Sequence, residues 1–247
     1  MRLKPSYARM TVALAATCCA LMLCMAPSRG DDAGQNAMSA IRAAGGTVTH
    51  GEGEGEGVSV DLTEATFDAH LAVRIAELHG VQKLILRSSN VSDADLRILC
   101  GIGTLHELDL WGTDITGDGL RDLRKNMCLT DVNLSATKVT DAAMQSIAKC
   151  VSLRSLGIVD TQVTDAGIAA LDSLPNLTDV CVGRTSLTDA GLKHLSRHSK
   201  LKLVIALQTE VTAEAAEEFK KNRPDTHLIW SYQSRRKAAQ PATTRGS

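Results

Sequence analysis

Aromatic side chains are almost missing from this chain: two tryptophans, two tyrosines and two phenylalanines in 247 residues. A face that stacks sugar rings draws on several aromatics, so this supply argues against a glycan-binding surface. A charge excess of one sign is missing as well. Lys and Arg total 27 against 28 Asp and Glu, a formal net charge of −1, which removes the basic surplus that nucleic acid attracts. The seven cysteines show no metal-ligand spacing, and no nucleophile, base and orienting acid stand together. Neither an enzyme nor a cofactor is expected. Long apolar runs are absent apart from Met10 to Ala26.

What is present is repetition. Segments built around Thr-Asp-Ala-Gly-Leu return every 24 residues, starting at Val91, Ile115, Val139, Val163, Leu187 and Val211, with no insertion between copies. Even spacing of this kind means stacked units, each covering the apolar face of its neighbour. With the first residue of each copy as offset 0, apolar residues recur at offset 5 (Leu96, Leu120, Met144, Ile168, Leu192) and offset 8 (Leu99, Leu123, Ile147, Leu171, Leu195, Phe219). That spacing marks one helical face. The Ser or Thr at offset 1 can cap a helix, and the Asp that usually follows suits its positive end. Farther on, offset 14 is Leu, while offset 17 (Leu84, Leu108, Val132, Leu156, Val180, Val204) and offset 19 (Leu86, Leu110, Leu134, Ile158, Val182) alternate as in a strand.

Stretches such as LHELDLWGTDITGDGL from Leu105 and LTDVCVGRTSLTDAGL from Leu177 resemble leucine-rich repeats, whose signature is L-x-x-L-x-L followed by a polar turn residue. The resemblance covers roughly residues 58 to 233 and is closest in pattern to ribonuclease-inhibitor-like and F-box-associated repeats and to secreted bacterial leucine-rich-repeat proteins. It implies an α/β solenoid, a horseshoe arc with a parallel concave sheet and helices on the convex side. Where many such repeats carry Asn, this chain has Thr113, Thr137, Thr161, Thr185 and Thr209, with Ser89 before them; a hydroxyl can also bond a turn backbone.

Four segments follow. Residues 1–30 carry Arg2, Lys4 and Arg9, then the apolar run, then small residues, the layout of a cleaved export signal. The run is about 17 residues long, at the short limit for a membrane span; an uncleaved anchor or a lipid attached to Cys18, Cys19 or Cys24 is the alternative. Residues 31–66 are expected to form an amino-terminal cap, with a short helix from Asn36 to Ala44 and a hairpin of Thr47–His50 and Val58–Leu62. Residues 67–233 hold the repeats and a carboxyl-terminal cap in which Leu228 and Trp230 take the inward strand columns. Residues 234–247 form a disordered basic tail with Arg235, Arg236, Lys237 and Arg245. Removing residues 1–30 takes away four basic and no acidic residues, so 23 against 28 leaves −5, or −9 for residues 31–233 and +4 for the tail.

Four cysteines lie beyond the signal: Cys100, Cys128, Cys150 and Cys181. Cys128 and Cys150 are the nearest candidates for a pair, and scattered thiols are the favoured reading. His194 and His198 have the spacing of two zinc ligands, but without a third ligand they read as a solvated helix face. Gly51 to Gly57, alternating with Glu, reads as a hairpin tip rather than a calcium loop. Asp141, Asp165 and Asp189 recur because helices begin there.

The resemblance places binding on the concave sheet, where seven or eight strands about 4.8 Å apart span roughly 30 to 35 Å, enough for a protein or extended peptide. Its outward columns vary where the core columns do not. Two patches stand out: Glu107, Asp109, Trp111 and Asp131, acidic with one aromatic anchor, with Asp179 farther along; and the apolar strip Leu203, Ile205 and Leu207, which the carboxyl-terminal cap is expected to cover, a ligand contact being the alternative. The chain therefore reads as an exported, non-catalytic binder of a protein or peptide, with a structural or self-associating envelope protein, or a glycan binder, as the alternative.

Overall fold

A computed structural model describes residues 32–51, 57–68 and 70–232. The segment expected to be an export signal, the expected tip of the glycine-glutamate hairpin and the basic tail lie outside them. Helix α1 (Asp32–Ala43) leads into the antiparallel pair β1 (Thr47–His50) and β2 (Val58–Asp61). From β2 onward every strand pairs in parallel with the next. Helix α2 (Leu71–Glu77) precedes β3 (Val81–Ile85), and α3 (Asp93–Leu99) precedes β4 (Glu107–Asp109). A 3₁₀ helix (Asp118–Lys125) precedes β5 (Asp131–Asn133), and α4 (Asp141–Ile147) precedes β6 (Ser155–Gly157). Then come α5 (Asp165–Ala170), β7 (Asp179–Cys181), α6 (Asp189–Leu195), β8 (Leu203–Thr209), α7 (Ala213–Asn222) and β9 (His227–Tyr232).

The register advances by one repeat per strand. Leu84, Leu108, Val132, Leu156, Val180 and Val204 are successive partners, and all are buried with the offset-19 column and the helix columns in one continuous core. The sheet is not closed: β1 and β9 are its two edges. At the amino-terminal end Ala37 and Ile41 face the core from α1, with Met38 only half-buried beside them. Gly45, at φ +90°, ends that helix and lets Gly46 donate to the Ile41 carbonyl at 2.8 Å.

The repeated Asp does more than favour a helix start. Asp141 accepts the Thr164 amide and hydroxyl, both at 2.7 Å. Asp165 holds Thr188, and Asp189 holds Thr212, in the same two ways. Each Asp thus ties the capping Thr of the following repeat to its own helix. A Cβ at Gly167 would sit 2.4 Å from the Asp141 carboxylate, and one at Gly191 2.3 Å from that of Asp165; glycine there makes room for the tie. Gly117 stands where the second copy would place its Asp, and the helix that follows is 3₁₀ rather than the expected α. Thr140, one repeat on, makes no side-chain capping bond. Around Asp93, burial works against the charge, but bonds from Thr116, Gly119 and Gly117 outweigh it and hold the pKa below the ordinary carboxylate value. Asp165→Ala leaves the buried-side donors of Thr188 unmatched and is expected to cost about 1 to 3 kcal/mol in a denaturant titration. A cost indistinguishable from zero contradicts the role assigned to the tie.

The Thr column bonds locally, as expected of a hydroxyl in a turn. Thr113, Thr137 and Thr185 donate to the carbonyl three residues earlier at 2.8, 2.6 and 2.7 Å. The preceding residue is left-handed, with φ between 51° and 58° at Ser88, Ala136, Asp160, Arg184 and Gln208; the first four amides continue the parallel ladder to the next repeat, and that of Gln208 donates to the Ser231 hydroxyl at 3.0 Å.

Candidate functional site

The sheet face turned away from the helices carries the outward columns, three rows of side chains running across the strands. In the row at the strand starts, Lys83, Glu107, Asp131, Ser155, Asp179 and Leu203 are successive partners. The middle row holds Ile85, Asp109, Asn133, Gly157, Cys181 and Ile205 in the same register. The third row, past the ends of the shorter strands and within the longer β8, contains Arg87, Trp111, Ser135, Val159, Gly183 and Leu207.

The acidic patch is partly neutralised. Lys83 Nζ lies 2.8 Å from Glu107, and Arg87 lies 2.6 Å from Asp109. Asp109 is only 4 % exposed, correcting its expected place as an open contact residue. Its carboxylate accepts Arg87 on one oxygen and, on the other, the Trp111 amide at 3.1 Å and the Asn133 side-chain amide at 3.0 Å. Asp109 therefore sets the turn that presents Trp111, a residue left 46 % exposed. Arg87 and Asn133 belong to this cluster. Their outward columns were visible in the sequence, but their convergence on one carboxylate spans two repeats and was not.

Asp131 and Asp179 are alike. Each accepts the hydroxyl of the preceding threonine, Thr130 or Thr178, at 2.6 Å, and among the described residues no cation pairs with either. Between them lie Ser155 and, in the middle row, Gly157. A Cβ at Gly157 would come within 2.7 Å of the Asn133 side-chain oxygen, so the floor there is bare.

The apolar strip is not covered by the carboxyl-terminal cap. Strand β9 pairs edge-on with β8, setting Ile229 beside Ile205 and Ser231 beside Leu207, so the cap lengthens the face instead of closing it. Leu203 and Ile205 are half-buried, Leu207 is 41 % exposed, and Ile229, which sequence reasoning passed over, is 48 % exposed. Leu228 and Trp230 pack inward as expected, yet only partly buried, because among the described residues no further repeat follows.

The remaining candidates are structural. Cys150 is a free thiol, so the pair with Cys128 is not formed; its neighbour is Cys100. Burial pushes Cys150 up to about 11 and raises Cys100 further, the nearby Cys150 adding to the shift. Burial and then Asp179 also raise Cys181, the thiol on the open face. Such thiols carry little thiolate at neutral pH and are weak nucleophiles.

His194 and His198 do not share a solvated face. His194 Nδ1 bonds Asp172 at 2.9 Å, alongside Arg197. Burial by itself would raise Asp172, but these two partners hold its pKa below normal. His198 is 5 % exposed, with Nδ1 3.2 Å from the Leu174 carbonyl and Nε2 without a hydrogen-bond partner. Burial lowers its pKa, so the unfolded chain binds more protons. Stability contributed by neutral His198 is complete above the unfolded value of about 6.5 and drains away as pH falls below it. Denaturation midpoints are expected to drop between about pH 7.5 and 5.5, and His198→Asn is expected to flatten that drop. An unchanged slope in the variant contradicts the assignment.

The comparisons agree with this geometry. The family model described as Leucine Rich repeat matches residues 125–148, one repeat length. Among solved structures, an internalin (InlF) of Listeria monocytogenes superposes with a TM-score of 0.54 at 15% identity, over 70% of this chain and 53% of that one. This chain thus spans about half the length of InlF. Internalin C2 of the same organism superposes with a TM-score of 0.54 at 17% identity, over 82% of this chain and 93% of its own. No curated protein matches the sequence. At these identities the likeness concerns the fold.

Proposed function

We propose that this leucine-rich-repeat chain is an exported, non-catalytic binding protein that holds a protein or extended peptide on the sheet face turned away from its helices. The observation that carries this reading is the contrast between columns: core positions repeat as Leu, Val or Ile, whereas the outward rows change from strand to strand and leave Trp111 standing exposed at a turn braced by Asp109. Large, amphipathic side chains on a rigid support are the usual anchors of protein interfaces. Eight parallel strands provide a face about 34 Å across. Export rests on the layout of residues 1–30, and among the described residues no helix is long and apolar enough to cross a membrane.

A photo-cross-linking amino acid placed at Trp111 in the exported chain is expected to attach a protein or peptide, and one placed at Glu214 on α7 to attach none. Equal labelling from both positions contradicts the assignment of the face.

A second reading is favoured by one observation, the edge strand β9 with Ile229 exposed and Leu228 and Trp230 half-covered. An edge of this kind can take up another strand. In that reading the chain self-associates, and its elution volume in size-exclusion chromatography shifts with concentration. A volume that stays constant over a hundred-fold dilution range removes this reading.

A further inference from the structure

We infer that the segment held on the open face is an extended peptide that crosses the strands, cationic along one edge and apolar along the other. This rests on the binding role proposed above and specifies the chemistry of its partner. The two long edges of the face differ in kind. Along the row at the strand starts, the first acidic side chain has its own cation, Lys83 on Glu107. Asp131 and Asp179 have none among the described residues; Arg154, one residue before Ser155, pairs with neither. Along the third row stand Trp111 and Leu207, both exposed, with half-buried Val159 midway.

The floor between these edges is made of small groups. In the middle row Gly157 has no side chain and Cys181 is half-buried, and in the far row Ser135 and Gly183, between Trp111 and Leu207, are buried. Trp111 and Leu207 rise at either end of this low ground, four strands apart, or about 19 Å, the length of about six extended residues. Asp131 and Asp179 are two strands apart, about 10 Å. In an extended chain lying flat on the floor, alternate side chains turn to opposite edges and recur on each edge about every 7 Å. Two lysines or arginines two residues apart reach both carboxylates with their flexible stems, while the intervening residues turn toward Val159, Trp111 or Leu207. Asp131 and Asp179, carboxylates with no cation of their own among the described residues, also attract such a segment at a distance and reject an acidic one.

The probes are three labelled peptides of about nine residues, alternating leucine with lysine, with serine or with glutamate, titrated against the full exported chain and followed by fluorescence anisotropy. The lysine peptide is expected to bind at least about ten-fold more tightly than the serine peptide at low salt, with the difference shrinking as salt rises. Asp131→Asn with Asp179→Asn is expected to abolish that preference. Glu214→Gln with Glu218→Gln, exposed carboxylates on α7, is expected to preserve it. If lysine and serine peptides bind equally and both are lost in Trp111→Ala, the cationic assignment is overturned while the binding face stands. If no peptide responds to Trp111→Ala, the face itself is overturned along with the inference.

Discussion

Leu156→Ala is expected to destabilise the protein by about 2 to 5 kcal/mol, the largest loss of any single substitution considered. Leu156 lies at the centre of β6, 1 % exposed, between Val132 and Val180 in register. Its side chain has no polar atom and lies within the one continuous core. The void lies in the middle of the array, and in a solenoid each repeat is stabilised through its nearest neighbours. The cost therefore falls on the coupling between the two halves, and the unfolding transition broadens as well as shifts. The same change at Leu110, fully buried in the offset-19 column, belongs to the same class. Val159→Ala, in an outward row three residues from Leu156, is expected to cost under about 1 kcal/mol. A loss below about 1 kcal/mol at Leu156 would mean that inward and outward columns had been exchanged.

The columns with a simple physical meaning were legible in the sequence. Helix starts, strand columns and the hairpin at residues 47–62 follow from period and capping chemistry, and the parallel order of the later strands was implied by the resemblance to leucine-rich repeats. What escaped was the chemistry that joins one repeat to another. The Asp of the repeated motif was explicable as a helix-start residue, a reason sufficient within one copy, so its bond to the Thr of the next copy gave no separate signal. Only the exception hints at it, where Gly117 replaces the Asp and Thr140 loses its partner.

His198 was misplaced for a different reason. Its spacing from His194 suggested a shared helical face, but its offset is that of Ile102, Asn126, Cys150 and Leu174, all buried. Reading down the column instead of along the helix would have placed it correctly. Asp109 shows the limit for the site: its column faces outward, and only the diagonal approach of Arg87 from one neighbouring strand, with Asn133 alongside on the other, turns it from a contact residue into a support. The apolar strip at Leu203, Ile205 and Leu207 was recognised, but whether a cap lies over a face or beside it depends on pairing that composition does not encode.

The second large effect concerns binding. Trp111→Ala combined with Asp131→Arg is expected to abolish partner capture. An interface tryptophan of the hot-spot class contributes at least about 2 kcal/mol, near thirty-fold in affinity, and the new arginine repels the cationic segment that Asp131 is proposed to attract. The fold is expected to be untouched, because the bond from Trp111 to Asp109 is made by the backbone amide and survives the substitution, and Asp131 accepts only the hydroxyl of its neighbour Thr130. Surface changes of this kind stay within about 0.5 kcal/mol.

The central claim, that binding resides where the repeat varies and stability where it does not, is tested most directly by one paired measurement on this double variant. Partner capture from an envelope extract and the melting temperature are recorded on the same preparation, beside the parent chain. The account predicts capture reduced to background with the melting temperature unchanged. Full capture by the double variant, or loss of capture accompanied by a large fall in melting temperature, contradicts it.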